Sequence, residues 1–159
     1  MSIVPINTHE IDERSNNIGI YVYINRPGLM MLTVFSKDEA YNSCAPFLDC
    51  MGELVKRVPQ CSHGFIDITH NTNIIDRFER TNMPITYLPF IVLYYDGTPY
   101  ARYDGPPDVG EMMSFIQNTY QNMQMQTLNQ TQQKLTPKTN NRGKKKYQTR
   151  NEDVFLKQQ

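Results

Sequence analysis

The sequence predicts an α/β fold: a thin layer of helices on each side of a central mixed β-sheet, followed by a polar, basic C-terminal tail. Three observations carry this. Apolar runs of strand character alternate with stretches of helical period in the order strand, helix, strand, helix, hairpin, helix, which implies a mixed sheet. The run Tyr87-Leu88-Pro89-Phe90-Ile91-Val92-Leu93-Tyr94-Tyr95 leads into Asp96-Gly97, two residues that tolerate the positive φ angles of a type I′ hairpin turn. After Tyr120 the composition shifts to Gln, Asn, Thr and Lys.

The elements follow in order. Residues 1–17 are polar after Ile6 and are expected to be irregular or a short first turn. Residues 18–24 (Ile-Gly-Ile-Tyr-Val-Tyr-Ile) have the β-branched and aromatic content of a strand. Asn25-Arg26-Pro27-Gly28 signals a turn. Residues 29–35 (Leu-Met-Met-Leu-Thr-Val-Phe) form a nearly continuous apolar run, as expected of a strand buried on both faces. Ser36-Lys37-Asp38-Glu39 has the form of a capping box, so a helix should start there. Its apolar positions, Ala40, Cys44, Phe47, Met51, Leu54 and Val55, recur at helical spacing up to Val58-Pro59. Pro46 lies inside it and removes one backbone donor. A strand is expected over 64–68, and a helix over 71–80 with Ile74, Ile75 and Phe78 on one face. Residues 87–95 and 99–103 should pair as the hairpin, and 109–120 should form the last helix, which Met123 and Leu128 prolong by two turns. From about residue 135 too little apolar surface remains to offset chain entropy. The expected organisation is an N-terminal segment 1–16, a domain 17–121 and a tail 122–159.

The 159 residues carry no net formal charge, but the charge is uneven. Residues 1–121 hold eight Lys/Arg against fourteen Asp/Glu, a net of −6, and residues 122–159 hold eight against two, a net of +6. No stretch approaches the roughly 18 apolar residues of a membrane span. The start has no basic n-region and no apolar h-region, so no signal peptide is expected. Three cysteines at spacings that fit no disulfide framework suggest free thiols in a reducing compartment, cytoplasm or nucleus.

Four details together resemble thioredoxin, across residues 17–121. A buried strand ends at Phe35 and feeds a helix containing Pro46. Phe65-Ile66-Asp67-Ile68 resembles the family's Asp-bearing central strand. Leu88-Pro89 opens a hydrophobic strand, and Asp96-Gly97 and Gly105 follow at the family's distances. The Asn/Lys-rich, divergent character is similar to that of thioredoxin-like proteins of large DNA viruses. The resemblance implies that Pro89 is preceded by a cis bond, and that the backbone of Leu88 pairs with an extended substrate; by family position it also allows residues 18–24 to be the family's first helix instead of an added strand.

Thioredoxin chemistry needs two thiols one turn apart at a helix N-terminus, the first made acidic by the helix dipole and the second resolving the mixed disulfide. This sequence has no Cys-x-x-Cys. By the resemblance, counting back from Pro46 places Asp38 and Tyr41 at the two cysteine positions. Allowing for a shorter loop moves the pair to Ala40 and Ser43. None of the four exchanges disulfides. Val34 stands where the family carries a buried acid.

Cys44 and Cys50 are six residues apart on one expected helix, so their Cα atoms lie roughly 9 Å apart, beyond the ~7 Å limit for a bridge. Cys44, nearest the helix start, is the candidate for a single reactive thiol, although Asp38 and Glu39 would raise its pKa. Its competing role is that of a small buried hydrophobe. Cys61-Ser62-His63 with His70 fits no zinc spacing, so no metal or other cofactor is expected. His9 stands alone in a polar segment, and Asp67 reads as a turn former. In the tail, Arg142, Lys144, Lys145, Lys146 and Arg150 form a basic cluster around Tyr147, suited to weak phosphate contact, nuclear import or plain solvation. The functional expectation is a thioredoxin-like module without dithiol exchange that holds an extended peptide or protein partner at Leu88 and Pro89. The alternative is a divergent oxidoreductase using Cys44.

Overall fold

A computed structural model describes residues 3–38 and 41–135. Its centre is a five-stranded sheet in the order β1 (Ile3–Pro5), β5 (Cys61–Asp67), β4 (Leu29–Phe35), β6 (Phe90–Tyr95), β7 (Thr98–Arg102). The first three strands are parallel, and β6 and β7 are antiparallel to their neighbours. All seven residues of β4 are buried, which is why its sequence shows no polar alternation.

The described N-terminal residues contain the short turn that the sequence allowed, and two strands besides. Ile3–Pro5 is the parallel edge strand β1, and a 3-10 turn at Thr8–Glu10 leads into β2 (Ile11–Ser15). Residues 18–24 contain a strand, β3 (Ile20–Ile24), and not the helix that the thioredoxin resemblance also allowed. β3 pairs antiparallel with β2 in a separate two-stranded sheet. Packing explains why short pieces of chain adopt these states. Ile6, Ile11, Val22 and Ile24 enter the main apolar cluster, while Asp12, Glu13 and Arg14 stay outside. The Tyr94 hydroxyl donates to the Val22 carbonyl at 2.9 Å, tying this hairpin to β6.

Alternation along the strands divides the sheet's side chains between two faces. On one face Met30, Leu32, Val34, Ile66, Phe90 and Val92 pack with Ile74 and Phe78 of α2 (Asn73–Glu79) and with the β2–β3 hairpin. Phe78 and Phe90 meet edge to face, with centroids 5.4 Å apart. Gly64 also points to this face; a Cβ there would sit 2.9 Å from Ile6 and from the Met30 sulfur. The other face receives α1 (Tyr41–Arg57) and the first turns of α3 (Val109–Leu135). There Tyr95 meets Tyr120, and Tyr103 meets Phe115.

Several boundaries differ from the sequence expectation. α1 is described from Tyr41, and Ser36 Oγ accepts from the Asp38 amide at 3.1 Å, making a turn before the helix; Glu39 and Ala40 lie outside the described residues. β5 begins at Cys61 rather than 64, because pairing with Leu29 extends the ladder across a polar stretch. β6 begins at Phe90, so Tyr87 to Pro89 form a loop and not strand. Tyr100 is the extra residue of a β7 bulge, where Leu93 faces Ala101 and Tyr94 faces Pro99. The turn has φ 49° at Asp96 and 88° at Gly97, the two positive angles that Asp-Gly accepts. α3 continues to Leu135. The sheet and its covering lie in a unit that ends at Gln121, and a second unit begins at Asn122.

Candidate functional site

Where β6 begins, the Leu88–Pro89 peptide bond is cis. The loop carrying it faces α1 across a groove of about 220 Å³. α1 contributes Ser43 and Phe47, the loop contributes Tyr87, Leu88 and Pro89, and β6 contributes Ile91. Tyr103, Asp104 and Gly105, which follow β7, close it. Phe47 is half-buried because it lies three residues after Cys44 and so sits at the edge of the stripe that α1 buries.

The rim is a network of polar groups. The Tyr87 hydroxyl donates to Asp104 Oδ1, and Arg102 Nε forms an ion pair with the same oxygen at 2.9 Å. The Arg102 guanidinium also lies 5.4 Å from the centre of the Tyr87 ring. The hydrogen bond to Asp104 raises the Tyr87 pKa above its ordinary value, with burial adding to it. The Tyr103 hydroxyl donates to the Pro106 carbonyl at 2.5 Å. Burial, then the charges of Glu111 and Asp108, push its pKa up to about 12, so both phenols are donors at neutral pH.

The sequence candidates sort themselves around this groove. Leu88 and Pro89 line it. Of the residues that the resemblance assigned to the family's cysteine positions, Ser43 lines it, Asp38 is exposed in the turn before α1, and Tyr41 is the first described residue of α1. Ala40 lies outside the described residues. Val34 faces the opposite side of the sheet, inside the main cluster.

Cys44 is fully buried, and burial raises its thiol pKa although the Ser36 backbone opposes this. The first cause is desolvation; Glu39, one of the two carboxylates that the sequence suggested, lies outside the described residues. Cys50 is also raised, by burial and then by Asp108 and Asp49. Burial pushes Cys61 up to about 12. A nucleophilic thiol needs the opposite shift and access to a disulfide.

Cys61 and His63 alternate onto the α1 side of β5, and His70 is exposed beyond its end. His63 is 1% exposed, its Nε2 has no hydrogen-bond partner among the described residues, and burial lowers its pKa to about 4. The sequence marked it only as a member of the Cys61-Ser62-His63 grouping and not as a buried imidazole, because its neighbours in space come from other strands. Among the described residues no cluster of His, Cys, Asp and Glu is arranged to hold a metal ion. Asp67 accepts from the Thr69 amide at 3.0 Å and from its hydroxyl at 2.5 Å. Burial raises the Asp67 pKa, but these bonds and the charges of Lys37 and His70 outweigh it and hold the carboxyl below its usual range. His9 lines a separate, shallow polar cleft with Asn7, Asp67 and Asn71. The tail cluster Arg142, Lys144, Lys145, Lys146 and Arg150 lies outside the described residues. No described helix is long and apolar enough to cross a membrane.

No family model matches the chain. A stretch of 73 residues is 25% identical to Uncharacterized protein 196R of Invertebrate iridescent virus 6, covering 46% of this chain and 42% of that one. The match therefore spans less than half of the viral relative. Among solved structures, human ERp44 (form I) superposes with a TM-score of 0.53 at 17% identity, over 73% of this chain and 29% of its own. Thioredoxin from Fasciola hepatica gives a TM-score of 0.44 at 18% identity, over 60% of this chain and 84% of its own. The fold is thioredoxin-like. In this thioredoxin-like chain the β2–β3 hairpin precedes β4 and packs on the face of the sheet that also receives α2.

Proposed function

We propose that this thioredoxin-like protein is a peptide- or protein-binding module that does not carry out dithiol–disulfide exchange. The observation that carries the reading is the groove itself. It is open, it is lined by Phe47, Tyr87, Leu88 and Ile91, and beside Phe47 the helix α1 presents to it the hydroxyl-bearing Ser43 and no thiol. An extended segment laid beside Leu88 would pair with loop backbone and bury apolar side chains against Phe47 and Ile91. The burial of all three thiols supports the same reading, since none is placed to attack a bound disulfide.

The test uses reduced, S-alkylated insulin B chain as an unfolded extended probe, followed by amide NMR. The expected result is saturable shifts concentrated at Ser43, Phe47, Leu88 and Tyr103, with Phe47→Glu abolishing them. Shifts elsewhere, or none, would sink the groove as a binding site. A parallel insulin-reduction assay should run no faster than the added dithiothreitol alone. A rate at thioredoxin levels that disappears with Cys44→Ser would establish the monothiol alternative instead.

A further inference from the structure

The charges around the groove are one-sided. Asp104 lines it directly, and Asp108 and Glu111 stand close enough to raise the Tyr103 hydroxyl's pKa. Asp49 lies on the same side of the molecule, where with Asp108 it acts on Cys50 of α1. Against these four carboxylates stand Arg102, which is already engaged by Asp104 and the Tyr87 ring, and Lys56 and Arg57 in the last turn of α1, where Arg57 pairs with Glu53. The hydrogen bond and the ion pair to Asp104 both fall on Oδ1. Asp108 Oδ2 accepts from the Glu111 amide at 2.9 Å, so the carboxylate is held in place at the start of α3. α3 carries no Lys or Arg before Lys134, and the loop from Thr81 to Pro89 carries no charge at all.

We propose that the groove selects cationic segments: an extended peptide with an apolar side chain against Phe47 and Ile91, and a Lys or Arg one or two positions away, facing Asp104, Asp108 and Glu111. The inference rests on the peptide-binding reading above and adds the chemistry of the partner to it. Apolar contact would supply the binding that any such groove offers. The carboxylates would set the preference, because a charge brought beside them gains attraction while an acidic segment is repelled. The gain is largest at low ionic strength, since these carboxylates are solvent-exposed.

Three labelled heptapeptides test this by fluorescence anisotropy: acetyl-Gly-Ala-Phe-Lys-Lys-Ala-Gly-amide and its twins with two Gln or two Glu in place of Lys. At about 20 mM salt the Lys peptide should bind about tenfold tighter than the Gln twin, shrinking to about twofold near 300 mM. The Glu twin should be the weakest. The double variant Asp49→Asn, Glu111→Gln leaves the groove lining untouched. It should cut the Lys preference about threefold and leave the Gln peptide unchanged. Equal binding of all three peptides, or no response to the double variant, overturns the charge preference while leaving the groove reading standing. Binding of none overturns both.

Discussion

The two faces of the central sheet do different jobs. The face under α2 and the β2–β3 hairpin is closed and apolar: Met30, Leu32, Val34, Ile66, Phe90 and Val92 meet Ile24, Ile74 and Phe78, and its one buried phenol, Tyr94, is satisfied by Val22. The face under α1 and α3 holds the unusual groups. His63 and Cys61 are buried there, Cys44 and Cys50 lie on α1, and the groove opens at its edge. One face can be read as the source of stability. The other trades complete apolar packing for an opening, and its buried imidazole makes it the face sensitive to conditions.

The comparison is broken most directly by deletion on the closed face. Phe78→Ala removes a ring that is 2% exposed, and urea denaturation should show a loss of about 3–5 kcal/mol. A loss below about 1 kcal/mol would mean that this face is not the one that holds the fold.

The second effect is acid lability. The folded His63 titrates at about 4, against 6.5 for the unfolded group, so between those values the unfolded chain takes up the proton and the native one does not. Stability on this account is complete above pH 6.5 and is lost as pH falls towards 4, by up to about 3 kcal/mol. His63→Leu should flatten that part of the curve. An unchanged slope in the variant would assign the lability to other groups.

Smaller again is the effect of Phe47→Ser. Phe47 is already half-buried at the groove, so stability should fall by about 1 kcal/mol while peptide binding drops by an order of magnitude or more. Equal damage to both would make it a core residue rather than a site residue. The smallest effect is expected from Arg80→Ala, which breaks a pair with Glu13 at 3.1 Å between two exposed side chains. The change should be about 0.2–0.5 kcal/mol and should vanish in high salt.

Much of this was legible in the residues. The unbroken apolar run of β4, the Asp-Gly turn and the Leu-Pro opening before β6 each have a local physical cause, so each could be read without a structure. The start of the chain could not. Ile3–Pro5 is too short to show a period, and it is a strand because β5 offers it a ladder. β2 reads as polar because four of its five residues are exposed, with Ile11 alone reaching the core. At the site, Leu88 and Pro89 were visible as a motif. Phe47, Tyr87, Tyr103 and Asp104 were not, since they come from three separate stretches of chain and meet only in the folded groove.

Local chemistry alone therefore determined the class of fold, the hairpin and the absence of a Cys-x-x-Cys pair, because turn angles, strand periods and side-chain identity are properties of neighbouring residues. Tertiary structure decided the rest. It made strands of the first residues, enclosed Cys44 so that desolvation raises its pKa, left His63 neutral in the interior, and gathered acidic side chains around a groove. These are properties of what surrounds a residue in space, and burial and charge proximity depend on residues that are distant in the chain.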